Sequence, residues 1–288
     1  MKIVKILGGL GNQMFQYAFY LSLQQRFPEE IIKIDCTLFN GYPLHNGLEI
    51  NRLFNIDLTQ ASFHELLRVT WPLYNYRLYQ IARIILPKRN THYIEDNESS
   101  FDGFAMENNY YFDGYWQNEY YFKKYTPLIK KVFQFRLQLG EKNRYLMQKL
   151  MRANSISIHV RRGDYLNHKI YLEICEKNYY EKAITYMKQI LEYPFFFVFS
   201  NDINWCKNNL KYAINNSPVE YIDWNINENS HIDMKLMSEC KHNIIANSSF
   251  SWWGAWLNSN PDKIVVAPKR WLNNDLKLQP QCKEWILI

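Results

Sequence analysis

From residue 154 onward, short apolar runs and amphipathic stretches take regular turns. Ile156–Val160, Phe195–Ser200, Val219–Ile222, Asn243–Ala246 and Ile264–Ala267 read as strands. Tyr179–Leu191, Asp202–Leu210, Ile232–Cys240 and Ser249–Leu257 read as helices between them, with Asp202 as an N-cap. Strand and helix in alternation predict a parallel sheet covered by helices on both faces. The N-terminal region repeats the theme. Ile3–Leu7 reads as a strand, Gly8, Gly9 and Gly11 as a turn, Asn12–Phe27 as a helix and Ile31–Asp35 as the next strand, a βαβ unit. Residues 40–150 are irregular. The expectation is α/β, with two halves at 1–152 and 153–288. Ligands of such sheets sit outside the carboxyl ends of the strands, which singles out the loops after Leu7, Val160, Ser200 and Ala246.

Composition narrows the class. With 47% hydrophobic and 22% charged residues the chain is too apolar to be disordered. No apolar run reaches 18 residues, which excludes a transmembrane helix. The apolar part of the N-terminus is too short for a signal peptide, and Cys36, Cys175, Cys206, Cys240 and Cys282 are scattered without a CxxC. Reduced thiols in a cytoplasmic protein are therefore expected, with neither a disulfide framework nor a zinc site.

The net charge of +6 favours an anionic partner. No acid lies between Glu65 and Glu95, where Arg68, Arg77, Arg83, Lys88 and Arg89 interleave with aromatic and aliphatic residues. Such a stretch, 66–89, suits peripheral contact with an anionic membrane surface; the plainer alternative is a helical pair with a solvated basic face.

Three segments carry chemistry. The first is Gly8-Gly9-Leu10-Gly11-Asn12-Gln13-Met14, a glycine turn between strand and helix where an anion can approach backbone N–H groups. A dinucleotide fingerprint with Asp35 as its ribose acid would need glycine where Met14 stands. The second is His159-Val160-Arg161-Arg162-Gly163-Asp164-Tyr165 at a strand end. One arginine can hold a phosphate while the other pairs with a carboxylate such as Asp164. The third is Asn247-Ser248-Ser249-Phe250, which opens a helix; Ser248 or Ser249 can cap it, and hydroxyls plus N–H groups form an anion nest. The last two together favour a diphosphate ligand. The chain has no P-loop, HExxH, DxD or GxSxG, so a site without metal, built on protein cations, follows by elimination.

The runs GGLGNQMFQYA (8–18), GYWQNEYYF (114–122), HVRRGDY (159–165), FSND (199–202) with WC (205–206), and HIDMKLMSECKHNIIANSSFSWWGAWLN (231–258) resemble the bacterial α-1,2-fucosyltransferases of glycosyltransferase family 11. The resemblance covers nearly the whole chain. It implies a GT-B-like fold, two Rossmann-like domains facing across a cleft, with the acceptor side in 1–152 and GDP-fucose in 153–288. It implies transfer of L-fucose from GDP-β-L-fucose to the 2-hydroxyl of a β-galactoside, with inversion, no cofactor and no nucleic acid partner. By motif, Arg161 meets the donor diphosphate with His159 beside it, and Asp233 lies near guanine. Asn247, Ser248, Ser249 and Phe250 lie around the β-phosphate and base, and Gly11 and Asn12 face the donor. Asp202 matches by pattern, with helix capping as its alternative.

Asp113, Glu119 and Asn12 are the candidates for the group near the acceptor hydroxyl, of which Asn12 can only orient because an amide is not basic. The run 101–125 holds eleven aromatics, and Tyr115 and Trp116 are its candidates for stacking on galactose. Two alternatives stand beside this reading: an NAD-dependent enzyme using Gly9, Gly11 and Asp35, and a non-catalytic carbohydrate- or nucleic-acid-binding module.

Overall fold

A computed structural model describes residues 1–95, 109–273 and 279–288. The chain divides into two units, Met1–Arg136 and Leu137–Ile288.

The first unit carries β1 (Lys2–Lys5), α1 (Leu10–Arg26), β2 (Ile32–Asp35), α2 (Ile50–Leu53), α3 (Phe63–Val69), α4 (Tyr76–Ile85), β3 (His92–Ile94), β4 (Tyr110–Asp113) and α5 (Thr126–Val132). Its sheet runs β2-β1-β4-β3, and every pairing is parallel. All four residues of β1 are buried, as a central parallel strand requires. Lys2 is tolerated there because it pairs with Glu30 and lies over the Phe27 ring, 4.4 Å from its centre.

Helix α1 is buried almost all round. Its polar residues are satisfied inside. Gln13 donates to the Gly8 and Gly47 carbonyls and accepts from the Glu49 N–H, while Gln16 accepts from the Leu7 N–H and donates to the Gly114 carbonyl. The two glutamines of the 8–18 run therefore fasten the turn after β1 to its surroundings.

The second unit carries α6 (Glu141–Arg152), β5 (Asn154–Val160), α7 (Lys177–Ile190), β6 (Pro194–Ser200), α8 (Ile203–Asn209), α9 (Lys211–Ile214), β7 (Val219–Ile222), α10 (His231–Ser238), β8 (His242–Ile244), α11 (Ser249–Leu257), β9 (Val265–Ala267) and β10 (Ile286–Leu287). The sheet order is β10-β9-β8-β5-β6-β7, all parallel. That is the doubly wound Rossmann order, and its direction of winding reverses between β5 and β8. Ile156, Ile158 and Val160 of β5 join Phe196, Val198, Ile244 and Val266 in the core, against Tyr180, Ile184 and Met187 of α7.

The expected boundary at 152/153 differs from the observed division at 136/137. Helix α6 belongs with the second unit: it buries Leu146 and Leu150, and Lys149 pairs with Glu220 of β7. Tyr93 and Tyr111 show why the middle looked irregular. β3 and β4 are three and four residues long and sit inside aromatic or polar surroundings, so no apolar run announces them. All five cysteines are free and buried. Among the described residues no helix is long and apolar enough to cross a membrane.

Candidate active site

The reversal point of the second sheet brings two of the expected segments together, since β5 and β8 are neighbours and each ends in one of them. Along β5, Ser155, Ser157 and His159 share one face by the two-residue period. Ser155 Oγ accepts from the Lys241 N–H at 3.0 Å, and Ser157 Oγ accepts from Asn243 Nδ2 at 2.7 Å. His159, the third of that face, is 6% exposed, and its Nδ1 has no hydrogen-bond partner among the described residues. Burial, with the Arg161 charge nearby, lowers the imidazole to about 3, so the ring is neutral. It lies 5.6 Å from the Phe250 ring.

The arginine pair divides its work. Arg162 Nη1 donates to Glu176 at 3.2 Å, its Nε lies 3.4 Å from Asp202 Oδ2, and its guanidinium stacks 4.3 Å from the centre of the Trp205 ring. The expected carboxylate partner of the pair is thus supplied by Glu176 and Asp202; the Asp164 side chain lies outside the described residues. Arg161 lies 5.6 Å from the Tyr165 ring and lines a small recess with Tyr165, Tyr171 and Asn247. The turn between them is fixed. The Arg162 N–H donates to Asn201 Oδ1 at 2.9 Å, and Gly163 has φ +43° with its missing Cβ facing Asn201 Nδ2.

At the end of β8, Asn247 is buried and donates to the Trp271 carbonyl at 3.1 Å. Ser248 occupies the N-cap of α11, yet its side chain makes no capping bond, which corrects the expected cap. The first-turn N–H groups of a helix have no intrahelical partner, and they carry the positive end of its dipole. Trp252 and Trp253 are fully buried and serve the core, with Trp252 Nε1 donating to the Pro280 carbonyl at 2.6 Å.

Asp202 is the N-cap of α8, as one of its two expected roles required: Oδ1 accepts from the Trp205 N–H at 3.1 Å. With Oδ2 on Arg162, both its oxygens hold structure. Asp233, in the first turn of α10, accepts from Asn225 Nδ2 at 2.7 Å, and Asn225 in turn contacts Asn143 at 2.9 Å. Burial pushes the Asp233 carboxyl up to about 8, against the Asn225 hydrogen bond. This buried amide chain escaped the sequence reading, because Asn143 and Asn225 belong to no motif.

In the first unit, Gly8 takes φ +105° and Gly9 is the N-cap of α1. Gly11 is buried. Asn12 Oδ1 accepts from Gln117 Nε2 at 2.7 Å. Asp35 accepts from the Tyr111 hydroxyl and from the Thr37 N–H and hydroxyl. These three donors fill the carboxylate that the dinucleotide alternative would turn to a ribose, and Met14 is fully buried in the core.

A cavity of about 460 Å³ opens at the carboxyl ends of β1, β4 and β3, walled by Lys5, His92, Asp113, Tyr115, Trp71 and the Tyr79 side of α4. Its volume is that of small-ligand sites. Asp113 pairs with Lys5 and accepts from Tyr79 Oη at 2.8 Å and from His92 at 3.1 Å. Burial alone would raise its carboxyl, but the Lys5 charge and these hydrogen bonds hold it below the usual carboxylate range. Burial and the Asp113 charge likewise lift the Tyr79 hydroxyl above its ordinary value. Lys5, Tyr79 and His92 were absent from the expected set; their only signal was the position of Lys5 at a strand end.

The other acceptor-side candidates separate. Tyr115 is half exposed at the cavity wall, with its N–H on Glu95 Oε2 at 2.7 Å. Trp116 is 1% exposed and stacks on Phe19 at 4.0 Å, so it is a core ring rather than a platform for sugar. Glu119 is buried and pairs with Lys123 at 2.6 Å.

The model of glycosyl transferase family 11 matches residues 1–288. The α-1,2-colitosyltransferase of Escherichia coli is 34% identical over 99% of this chain and 98% of its own length. The O-antigen biosynthesis glycosyltransferase WbnK of Escherichia coli is 33% identical over 97% of each chain. Among solved structures, the fucosyltransferase NodZ from Bradyrhizobium aligns with a TM-score of 0.50 at 14% identity, over 88% of this chain and 91% of that one. The likeness to NodZ is one of fold, and it accords with the GT-B class of two Rossmann-like units. With the family matched from end to end and two relatives of nearly the same length, the chain belongs to glycosyl transferase family 11 and is a glycosyltransferase.

Proposed function

We propose that the protein moves L-fucose from GDP-β-L-fucose to the 2-hydroxyl of a terminal β-galactoside, inverting the sugar and using protein cations in place of a metal. The observation that carries the reading is a convergence at the reversal point of the second sheet. Arg161, the unpartnered Nδ1 of His159 and the uncapped first turn of α11 lie on adjacent strand ends. All three are suited to an anion that also offers a donor or acceptor edge.

The chemistry follows from that placement. The acceptor oxygen bonds to C1 from the face opposite the phosphate, and its O–H proton passes to solvent. The C1–O bond breaks, and its electron pair leaves with GDP. Negative charge grows on the β-phosphate in the transition state, where Arg161 and the α11 N–H groups strengthen their hold. Neutral His159 orients the diphosphate without adding charge. Arg162 positions Arg161 by locking the turn that bears both. Asp233 meets the guanine edge, accepting its N–H groups when ionised. On the acceptor side Tyr115 and the first-unit cavity take the galactoside. Asp113, filled by three donors, shapes that wall rather than removing the proton.

A second donor sugar is favoured by the 34% identity to a colitosyltransferase. Colitose lacks the 3-hydroxyl of fucose, so one site can be tested for both. The test offers GDP-fucose and GDP-colitose with a panel of β-galactosides, with and without EDTA, followed by linkage analysis. An α-1,2-linked fucosyl product that forms undiminished in EDTA supports the reading. Loss of transfer in EDTA, or turnover with GDP-colitose alone, overturns it.

A further inference from the structure

Helix α4 is amphipathic in the wrong sense for a helix packed on a core. Tyr76, Tyr79, Gln80 and Arg83 face the first-unit cavity. Leu78, Ile81, Ile84 and Ile85 lie on the opposite arc, at 57%, 56%, 84% and 71% exposure, and none of the helix's residues is buried. An ordinary surface helix turns its apolar stripe inward. Leu67, Tyr74 and Leu86 extend the exposed apolar area on the flanking segments. Around it stand Arg68, Arg77, Arg83 and Lys88, all exposed, with no acid anywhere from 66 to 94. Arg89 is held in place over the Trp71 ring, 4.4 Å from its centre, and so fixes the loop after α4.

We infer that α4 docks in the plane of an anionic bilayer, its Leu78–Ile85 arc among the acyl chains and its arginines at the headgroups. Charge decides between the occupants. A second copy of the chain, meeting α4 with α4 about a two-fold axis, would bring two sets of the exposed basic residues Arg68 and Arg77 to one interface, and their like charges oppose that contact. An anionic surface instead meets every basic residue with its opposite, while the four aliphatic side chains leave water. The same helix walls the cavity with its other side, so docking would leave a single helix between the bilayer and the cavity. A glycan acceptor carried on a lipid would then meet it without leaving the membrane. That last clause rests on the proposed acceptor site; the docking does not.

Vesicle flotation tests it without any assay of transfer. The probes are phosphatidylcholine vesicles with and without phosphatidylglycerol. The wild type is expected to float with the anionic vesicles, less so in high salt, and to stay behind with the neutral ones. Ile84→Asp with Ile85→Asp, and separately Arg68→Gln with Arg77→Gln, are each expected to lower partitioning by about tenfold or more. All four residues lie outside the cavity wall, so the melting temperature of each variant is expected to stay at the wild-type value. Equal flotation of wild type and variants, or a wild type that fails to float, overturns the inference. So does a lipid-free dimer that Ile84→Asp with Ile85→Asp dissolves, which would assign the face to a second copy.

Discussion

The Arg162 guanidinium lies 4.3 Å from the centre of the Trp205 ring, clamped from its edges by Glu176 and Asp202. Its sequence neighbour Arg161 lines the small recess beside Asn247, 5.6 Å from the centre of the Tyr165 ring. Two adjacent arginines at one strand end therefore hold different offices. Arg161→Ala is expected to keep the wild-type melting temperature and lose about 10²–10³ in kcat, the usual cost of one donor aimed at developing charge. Arg162→Ala is expected to lower stability by about 2 kcal/mol through loss of its hydrogen bond to Glu176, its ion pair with Asp202 and its stacking on Trp205, and so to melt several degrees earlier. Steady-state kinetics with thermal melts separates the two.

In the proposed contact with guanine, Asp233 is expected to link GDP affinity to pH. Its carboxyl is raised to about 8, so it is mostly protonated at neutral pH, while guanine N–H groups need the ionised form. Affinity is expected to rise with pH up to about 8 and then level off. Asp233→Asn is expected to bind more weakly at pH 9 and to lose the slope. Stability runs the other way: the folded state holds a proton that the unfolded chain has released, so this group's contribution, full below about pH 4, declines toward pH 8. Calorimetric titration of GDP between pH 6 and 9, with melts at the same values, checks both signs.

Lys5 and Asp113 form a buried pair in the first unit. Lys5→Met leaves a carboxylate buried without its cation and is expected to cost about 3–5 kcal/mol, part of which Lys5→Met with Asp113→Leu restores. Because the Asp113 carboxyl is lowered in the fold, its contribution is present above about pH 4 and is withdrawn as pH falls. Denaturant titrations of the single and double variants at pH 7 and pH 3 measure it.

Gly163 is expected to tolerate no side chain. Its φ of +43° and the Asn201 amide at its Cβ position both oppose one. Gly163→Ala is expected to lose about 1–3 kcal/mol of stability and to displace Arg161, lowering kcat as well. Asn201→Gly removes both that contact and the acceptor of the Arg162 N–H, so the melting temperature of Asn201→Gly with Gly163→Ala, set against that of Asn201→Gly alone, isolates the share owed to the backbone.

Most sheet strands of the second unit were legible because they carry buried apolar residues between helical stretches, Phe196–Phe199 most plainly. β3, β4 and β10 were not: β3 is polar and aromatic, β4 lies within a long aromatic stretch, and β10 has two residues, so no bounded aliphatic run marks them. The chemistry at strand ends was legible for a similar reason: His159, Arg161 and Ser248 are polar where a buried strand stops. Pairings were harder to foresee. Glu176 lies 14 residues from Arg162, and Asn225 lies 82 from Asn143, and only the winding of the chain brings them together. Trp116 was misread because an aromatic in a dense run looks the same whether it faces a sugar or Phe19.

Gln13 and Gln16 bolt the glycine turn to its surroundings through backbone groups of Leu7, Gly8, Gly47, Glu49 and Gly114 before any ligand arrives. A loop already frozen gives up little freedom when a substrate settles on it, so recognition there carries a small entropic toll. It also has little slack to reshape itself. Divergence in sugar preference among chains sharing these amides should therefore arise in side chains that surround the turn, while its own path stays constant.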